Sequence, residues 1–182
     1  MPRVDIRLIG FGGQGIIAMG TILSRAAGIY AGKNIVQTQT YGGEVRGGFS
    51  RCDVVISDEE IDYPRVLMAD FLVALSQRFL DRHINDVKKS GVLLADADLV
   101  KDIGRQDIKI FKVPATKMSL EELGNRNMAN VLMLGVLTGL AKVVPKDSVE
   151  KAVLEFFASK SVDTQNSNLK AFERGFRLSE GL

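Results

Sequence analysis

The chain has 182 residues, 46% hydrophobic and 25% charged, with 18 glycines, 4 prolines, no tryptophan, one histidine and one cysteine. A chain this long suits one globular domain, because burying roughly 70% of its unfolded surface supports a core without disulfides or a structural metal. Cys52 alone forms no disulfide, His83 alone makes no zinc cluster, an iron–sulfur centre wants about four thiolates, and a net charge of +2 is too balanced for nucleic-acid binding on charge alone.

Met1-Pro2-Arg3-Val4-Asp5 lacks the basic start and apolar run of a signal peptide, so a cytoplasmic protein is expected. Val4, Ile6 and Leu8 alternate with Arg3, Asp5 and Arg7 before Ile9 and Gly10-Phe11-Gly12-Gly13-Gln14-Gly15, which predicts a strand ending in a glycine turn. Ile16, Gly20, Leu23, Ala27 and Tyr30 then keep a helical period as far as Gly32. Residues 34–40 and 49–57 read as strands, and the connection Tyr41-Gly42-Gly43-Glu44-Val45-Arg46-Gly47-Gly48 is too short for a crossover helix, so they are antiparallel neighbours. Strands at 71–75 and 92–95 bracket an amphipathic helix near 77–89, and another strand covers 109–113.

The last third reads as helical, at 127–144, 147–160 and about 169–178, with Asp147 as an N-cap before Glu150 and a polar connection at 161–168. The apolar run 131–144 is interrupted by Thr138 and Lys142 and falls short of the ~18 residues of a membrane span. The expected architecture is a single α/β domain over 1–182, Rossmann-like and layered, with a mixed, mostly parallel sheet and a helical C-terminal third.

Gly10, Gly12 and Gly15 keep the G-x-G-x-x-G spacing between a strand and a helix. In that context the backbone approaches a phosphate closely while the helix start supplies free N–H groups; the plainer alternative is a turn that needs glycine only for its geometry. A nicotinamide site would place an acid about 20 residues on, and nothing from Ile16 to Gly43 is acidic. A Walker A loop is absent as well, since Gly28 to Asn34 has the wrong gap and ends in Asn. Residues 1–52 hold six basic side chains (Arg3, Arg7, Arg25, Lys33, Arg46, Arg51) against Asp5 and Glu44, a surplus of +4 that suits a polyanionic ligand.

The second glycine loop brackets Glu44 and Arg46 with two glycine pairs, a composition with a high backbone-entropy cost unless tight geometry or ligand contact requires it. If strand two returns beside strand one, the loop lies near the first turn and the two form one site. His83 reads as a surface residue and Cys52 as a packed one; Ser76 is either a ligand contact or a helix cap; Gly135 and Gly139 allow close helix packing. Phe172 and Phe176 share a face with Leu169 that docks either on this domain or on a partner.

With Gly10-Phe11-Gly12-Gly13-Gln14-Gly15, Tyr41-Gly42-Gly43-Glu44-Val45-Arg46-Gly47-Gly48 and the helix start Asn127-Met128 before Leu134-Gly135, the chain resembles the gamma subunit of 2-oxoacid:ferredoxin oxidoreductases, most of all the 2-oxoglutarate type. The same domain is fused into pyruvate:ferredoxin oxidoreductase, and indolepyruvate oxidoreductase beta subunits share it. Gly43 stands where related chains often have proline. The resemblance implies a non-catalytic subunit that binds coenzyme A while a 2-oxoacid is oxidatively decarboxylated to an acyl-CoA and CO2 and ferredoxin is reduced. Thiamine diphosphate, Mg and 4Fe-4S clusters are then expected on alpha, beta and, in some complexes, delta subunits, with ferredoxin reached through the complex and no nucleic acid or membrane involved. By the motif match, Gly10, Gly12, Gly13, Gln14 and Gly15 belong to the phosphate region, Tyr41, Gly42, Glu44, Arg46, Gly47 and Gly48 to the CoA pocket or its closing edge, and Asn127 is a further candidate. No catalytic or metal-ligating residue is expected. The alternatives are an indolepyruvate oxidoreductase beta subunit, a free-standing NAD(P)- or flavin-binding oxidoreductase, and a purely scaffolding subunit.

Overall fold

The computed structural model describes residues 2–42 and 48–182. Six strands form one mixed sheet in the order β2-β3-β1-β4-β5-β6, comprising β1 (Val4–Phe11), β2 (Asn34–Tyr41), β3 (Phe49–Ser57), β4 (Ala69–Ala74), β5 (Val87–Asp96) and β6 (Lys109–Val113). β1, β4, β5 and β6 are mutually parallel, and β3 runs antiparallel to both β1 and β2. The helices are α1 (Ile16–Arg25), α2 (Gln77–His83), α3 (Ala115–Leu123), α4 (Ala129–Ala141), α5 (Lys146–Phe156) and α6 (Val162–Ser179).

Strand two does not lie beside strand one. β3 takes that inner place because its run from Cys52 to Ile56 is buried on both faces, whereas β2, with Gln37-Thr38-Gln39-Thr40, is exposed over most of its length and suits an edge. The loop still ends near the glycine turn, since β3 begins with Phe49 opposite Phe11 at the end of β1.

The larger core lies on one sheet face, where Ile6, Leu8, Cys52, Val54 and Val73 meet Ile16, Met19 and Leu23 of α1 and the apolar length of α4. α6 packs on α4 through glycines: a Cβ on Gly135 would collide with the Phe172 carbonyl, and one on Gly175 with that of Leu132. Phe172 is therefore fully buried within this domain and Phe176 packs against the same core. A smaller core, including Ile9, Leu72, Phe79 and Leu80, joins the opposite face to α2. On that face Arg7 is buried, giving Nε and Nη2 to Asp53 at 2.8 and 2.9 Å and Nη1 to Asp86 at 2.6 Å.

Several boundaries differ from the periodicity. The helix after β4 ends at His83 and β5 begins early, at Val87, after a 3-10 turn. α3 was not anticipated, because its buried positions are few and its hydrophobicity is low. Residues 162–168, expected as a polar connection, are the first half of α6: the Ser161 hydroxyl accepts from Thr164 N–H at 3.2 Å, and Asn168 bonds the Thr164 carbonyl at 2.8 Å. α5 starts at Lys146 with Pro145 in the cap position, so Asp147 lies in the first turn instead. α4 proper begins at Ala129, after a 3-10 turn over Arg126–Met128. Among the described residues no helix is long and apolar enough to cross a membrane.

Candidate functional site

β1 ends at Phe11, and the chain turns through Gly12 to Gly15 into α1. Gly13 (φ 97°) and Gly15 (φ 74°) occupy the left-handed region that glycine alone enters without strain. A Cβ on Gly15 would collide with the side-chain amide of Asn130, and one on Gly10 would lie 2.6 Å from Gln14 Oε1. Gln14 braces the turn: its Oε1 accepts from Phe11 N–H at 2.6 Å and its Nε2 donates to the Leu75 carbonyl at 2.9 Å. Its amide is thus engaged with the backbone, and the turn offers a ligand mainly main-chain atoms. α1 has no side-chain cap and no acid in its first turn, so its first N–H groups and the positive end of its dipole stay uncompensated by the chain.

The second glycine loop touches this turn at one end, where Gly12 N–H donates to the Gly48 carbonyl at 2.8 Å. Gly42 N–H donates to the Phe49 carbonyl at 2.7 Å, while Tyr41 is exposed and gives its hydroxyl to Gln39 Oε1 at 2.8 Å. The expectations for Gly43, Glu44, Arg46 and Gly47 lie outside the described residues.

A cleft of about 280 Å³ opens against the turn, lined by Gly12, Gly13, Gln14, Leu75, Leu99, Thr116, Arg126, Asn127, Ala129 and Asn130. Asn127, read from the sequence, is therefore beside the glycines. Arg126, Asn130 and Thr116 were not read. Arg126 supplies the cation; among the described residues it has no ion-pair partner, and no carboxylate lines the cleft. Asn130 donates Nδ2 to the Gly15 carbonyl at 3.2 Å, and its Oδ1 is buried with no described hydrogen-bond partner. An unpartnered buried acceptor beside a cleft is a demand for a donor. The signal was present in the sequence, since Asn130 is a polar residue in an otherwise apolar helix.

Thr116 is held from behind by Asp96, whose Oδ2 accepts from its hydroxyl at 2.6 Å and its N–H at 3.1 Å. Burial pushes the Asp96 carboxyl above its usual range, against the lowering effect of those hydrogen bonds. A second hollow of about 380 Å³ adjoins the first, sharing Asn127 and Asn130 and lined by Ala18, Met128, Phe156, Phe157 and Thr164 among others. Together they form a polar end at the glycine turn and a more apolar end at the aromatic pair.

Among the described residues, the early basic side chains do not gather here. Arg3 pairs with Asp5, Arg7 with Asp53 and Asp86, Arg25 with Glu155 and Lys33 with Asp58. His83 is not a free surface residue either: it is largely covered, 5.1 Å from the Phe49 ring in a stacked pair, with Nδ1 2.7 Å from Asp86. Cys52 is buried as expected, and burial pushes its thiol up to about 12. Ser76 occupies the cap position of α2, but its hydroxyl makes no capping bond.

An uncapped helix start, a glycine turn and one arginine stand around one cleft of this α/β domain, and comparison with known proteins gives it a family. Residues 5–178 match the pyruvate ferredoxin/flavodoxin oxidoreductase family, and the chain belongs to it as a gamma-type subunit. It is 47% identical over 182 residues to 2-oxoglutarate synthase subunit KorC of Methanocaldococcus jannaschii, covering 99% of this chain and 96% of that one. The keto/oxoacid ferredoxin oxidoreductase gamma subunit of Geobacter sulfurreducens is 37% identical, with a TM-score of 0.84 over 98% of this chain and 99% of that one. The 2-oxoglutarate:ferredoxin oxidoreductase of Magnetococcus marinus, whose structure holds 2-oxoglutarate, coenzyme A and succinyl-CoA, shares the fold at a TM-score of 0.89 and 22% identity; this chain spans 32% of it.

Proposed function

We propose that this chain is the gamma subunit of a 2-oxoglutarate:ferredoxin oxidoreductase and that it binds coenzyme A in the cleft at the glycine turn. The observation that carries the reading is the convergence of three features on one cleft: the uncapped start of α1 with its left-handed glycines, Arg126 with no ion-pair partner among the described residues, and the Asn130 acceptor with no described hydrogen-bond partner. A diphosphate suits the first two, and a hydroxyl or amide N–H of the same ligand suits the third. The identity to a 2-oxoglutarate synthase subunit over the full chain supports 2-oxoglutarate as the oxoacid.

Bound CoA supplies a thiol that accepts the acyl group. The residues of this chain bind and orient. Gly13 and Gly15 bring main-chain N–H groups to the phosphates, Gly12 ties the turn to the second loop through Gly48, Gln14 keeps the turn in shape, Arg126 neutralises charge, and Asn127 and Asn130 hold the ligand where the two hollows meet. One buried cysteine cannot supply the thiolates of an iron–sulfur cluster, so the clusters and thiamine diphosphate are assigned to partner subunits.

Isothermal titration of CoA into the assembled enzyme tests this. Arg126→Ala is expected to weaken binding by about tenfold, the scale of one lost charge-assisted contact, and Asn130→Leu by a similar factor. Unchanged affinity in both variants would place the ligand elsewhere.

A further inference from the structure

Beyond the ligand cleft, on the opposite side of the sheet from α1, the β2–β3 face is left open by α2. We infer that this face docks an extended, acidic segment of a partner subunit, which adds to the sheet along β2. The inference rests on the chain being one subunit among several and is independent of the CoA reading.

The first observation is electrostatic. A hollow of about 470 Å³ lies over this face, lined by Arg7, Thr38, Thr40, Arg51, Arg65 and Leu67 together with Asp53 and Val66. Arg7 is already committed, since it holds Asp53 through two nitrogens, reaches Asp86 and donates to the Val66 carbonyl at 2.6 Å. Arg51 stands 3.6 Å from the Asp53 carboxylate and no nearer to any other described acid. The Arg65 guanidinium has no described partner; only its backbone carbonyl is used, accepting from Arg3 at 2.8 Å. Three guanidinium groups thus line the hollow beside the single carboxylate of Asp53: Arg51 shares it with Arg7 and also donates to Thr40 Oγ1 at 3.5 Å, and Arg65 has no described carboxylate.

The second observation is the edge. β2 pairs with β3 in unbroken register from Asn34 to Tyr41, and its other side is unpaired. Edge strands are usually guarded by charges, prolines or bulges. The far edge, β6, carries Lys109 and Lys112; β2 carries no charge, no proline and no bulge. Beside it Leu67, which lines the same hollow, is 68% exposed, and arginine without lysine or glutamate is the composition of interface cores.

The occupant follows from charge and geometry. An open edge accepts an extended chain by main-chain pairing, and two arginines beside it select carboxylates on that chain. A second copy of this chain fits badly, because pairing two β2 edges about a two-fold axis normal to the sheet puts both copies' arginines on the same face, and β2 itself brings no carboxylate to them. The partner is therefore a different subunit, presenting Asp or Glu on alternate residues of a strand.

The test uses the assembled complex and its dissociated subunits. A photo-crosslinking benzoylphenylalanine at Leu67 is expected to capture one partner subunit through a peptide bearing Asp or Glu. The double variant Arg51→Glu/Arg65→Glu is expected to weaken that subunit's binding about tenfold or more and to abolish its salt dependence. CoA affinity should be unchanged, so failure here and failure of the CoA reading are separable. Thr38→Lys, an exposed edge substitution that leaves both arginines in place, should also weaken assembly if the edge is used and keeps the test valid should the double variant misfold. Capture of a second copy of this chain, capture of a peptide without carboxylates, or full affinity in both variants would overturn the inference. So would a Leu67 that captures no protein while inorganic phosphate binds in an Arg65-dependent way.

Discussion

Cys52 shows how a residue's chemistry is set by what surrounds it. Its sulfur lies against Gly20, where any Cβ would collide with it, and burial, helped by the neighbouring Asp53 carboxylate, keeps the thiol protonated. The native thiol is pushed up to about 12, well above the ordinary thiol range, so between that range and about 12 the unfolded chain releases a proton that the native chain retains. Stability therefore falls as pH rises through that window. Lys88 adds to the trend: burial lowers its pKa, but Asp70 and Asp5 outweigh that and leave it raised, so its contribution is also lost at alkaline pH. Urea titrations from pH 8 upward should show this decline, with a shallower slope in Cys52→Ala. Native Cys52 should resist thiol reagents at pH 8 and react only on unfolding, and rapid labelling of the folded protein would refute the assignment.

At the scale of elements, the helical third depends on two backbones in contact. Gly135 of α4 and Gly175 of α6 each meet a carbonyl of the other helix, and a main-chain atom cannot rotate away as a side chain can. Gly175→Ala is therefore expected to destabilise by about 3 kcal/mol or more by overpacking, despite alanine's better helix propensity. Gly32, with φ 63° but open space around it, should lose only about 1 kcal/mol on the same change. Thermal unfolding of the two variants compares them directly. The close glycine packing was legible as Gly135 and Gly139 on an apolar helix, and the helix at 169–178 was legible too, but the pattern left open whether its Phe172 face docks on this domain or on a partner subunit, because a helical period shows that a face is apolar and not what covers it.

Across the whole molecule, a ligand that binds only the native state couples the cleft to global stability. At about 100 times its dissociation constant, CoA should stabilise the chain by about 2.7 kcal/mol, and the gain should shrink in Arg126→Ala. A melting-temperature shift measured against CoA concentration checks it, and an equal shift in the variant would count against the cleft. Asn130 and Gly15 meet from 115 positions apart, and Thr116 reaches the same cleft from the start of a helix that periodicity did not reveal.

By itself the sequence determined the strand, glycine turn and helix of the opening unit, the β2–β3 hairpin, the absence of cluster ligands and the resemblance to gamma subunits. These are properties of composition and of short spacings, where backbone freedom and hydrophobic period act within one element. Tertiary structure alone decided that β3 lies inside β2, that Arg3, Arg7, Arg25 and Lys33 are spent in ion pairs, and that Arg126 and Asn130 complete the cleft. Those outcomes depend on which faces are buried against each other, an energy summed over residues distant in the chain.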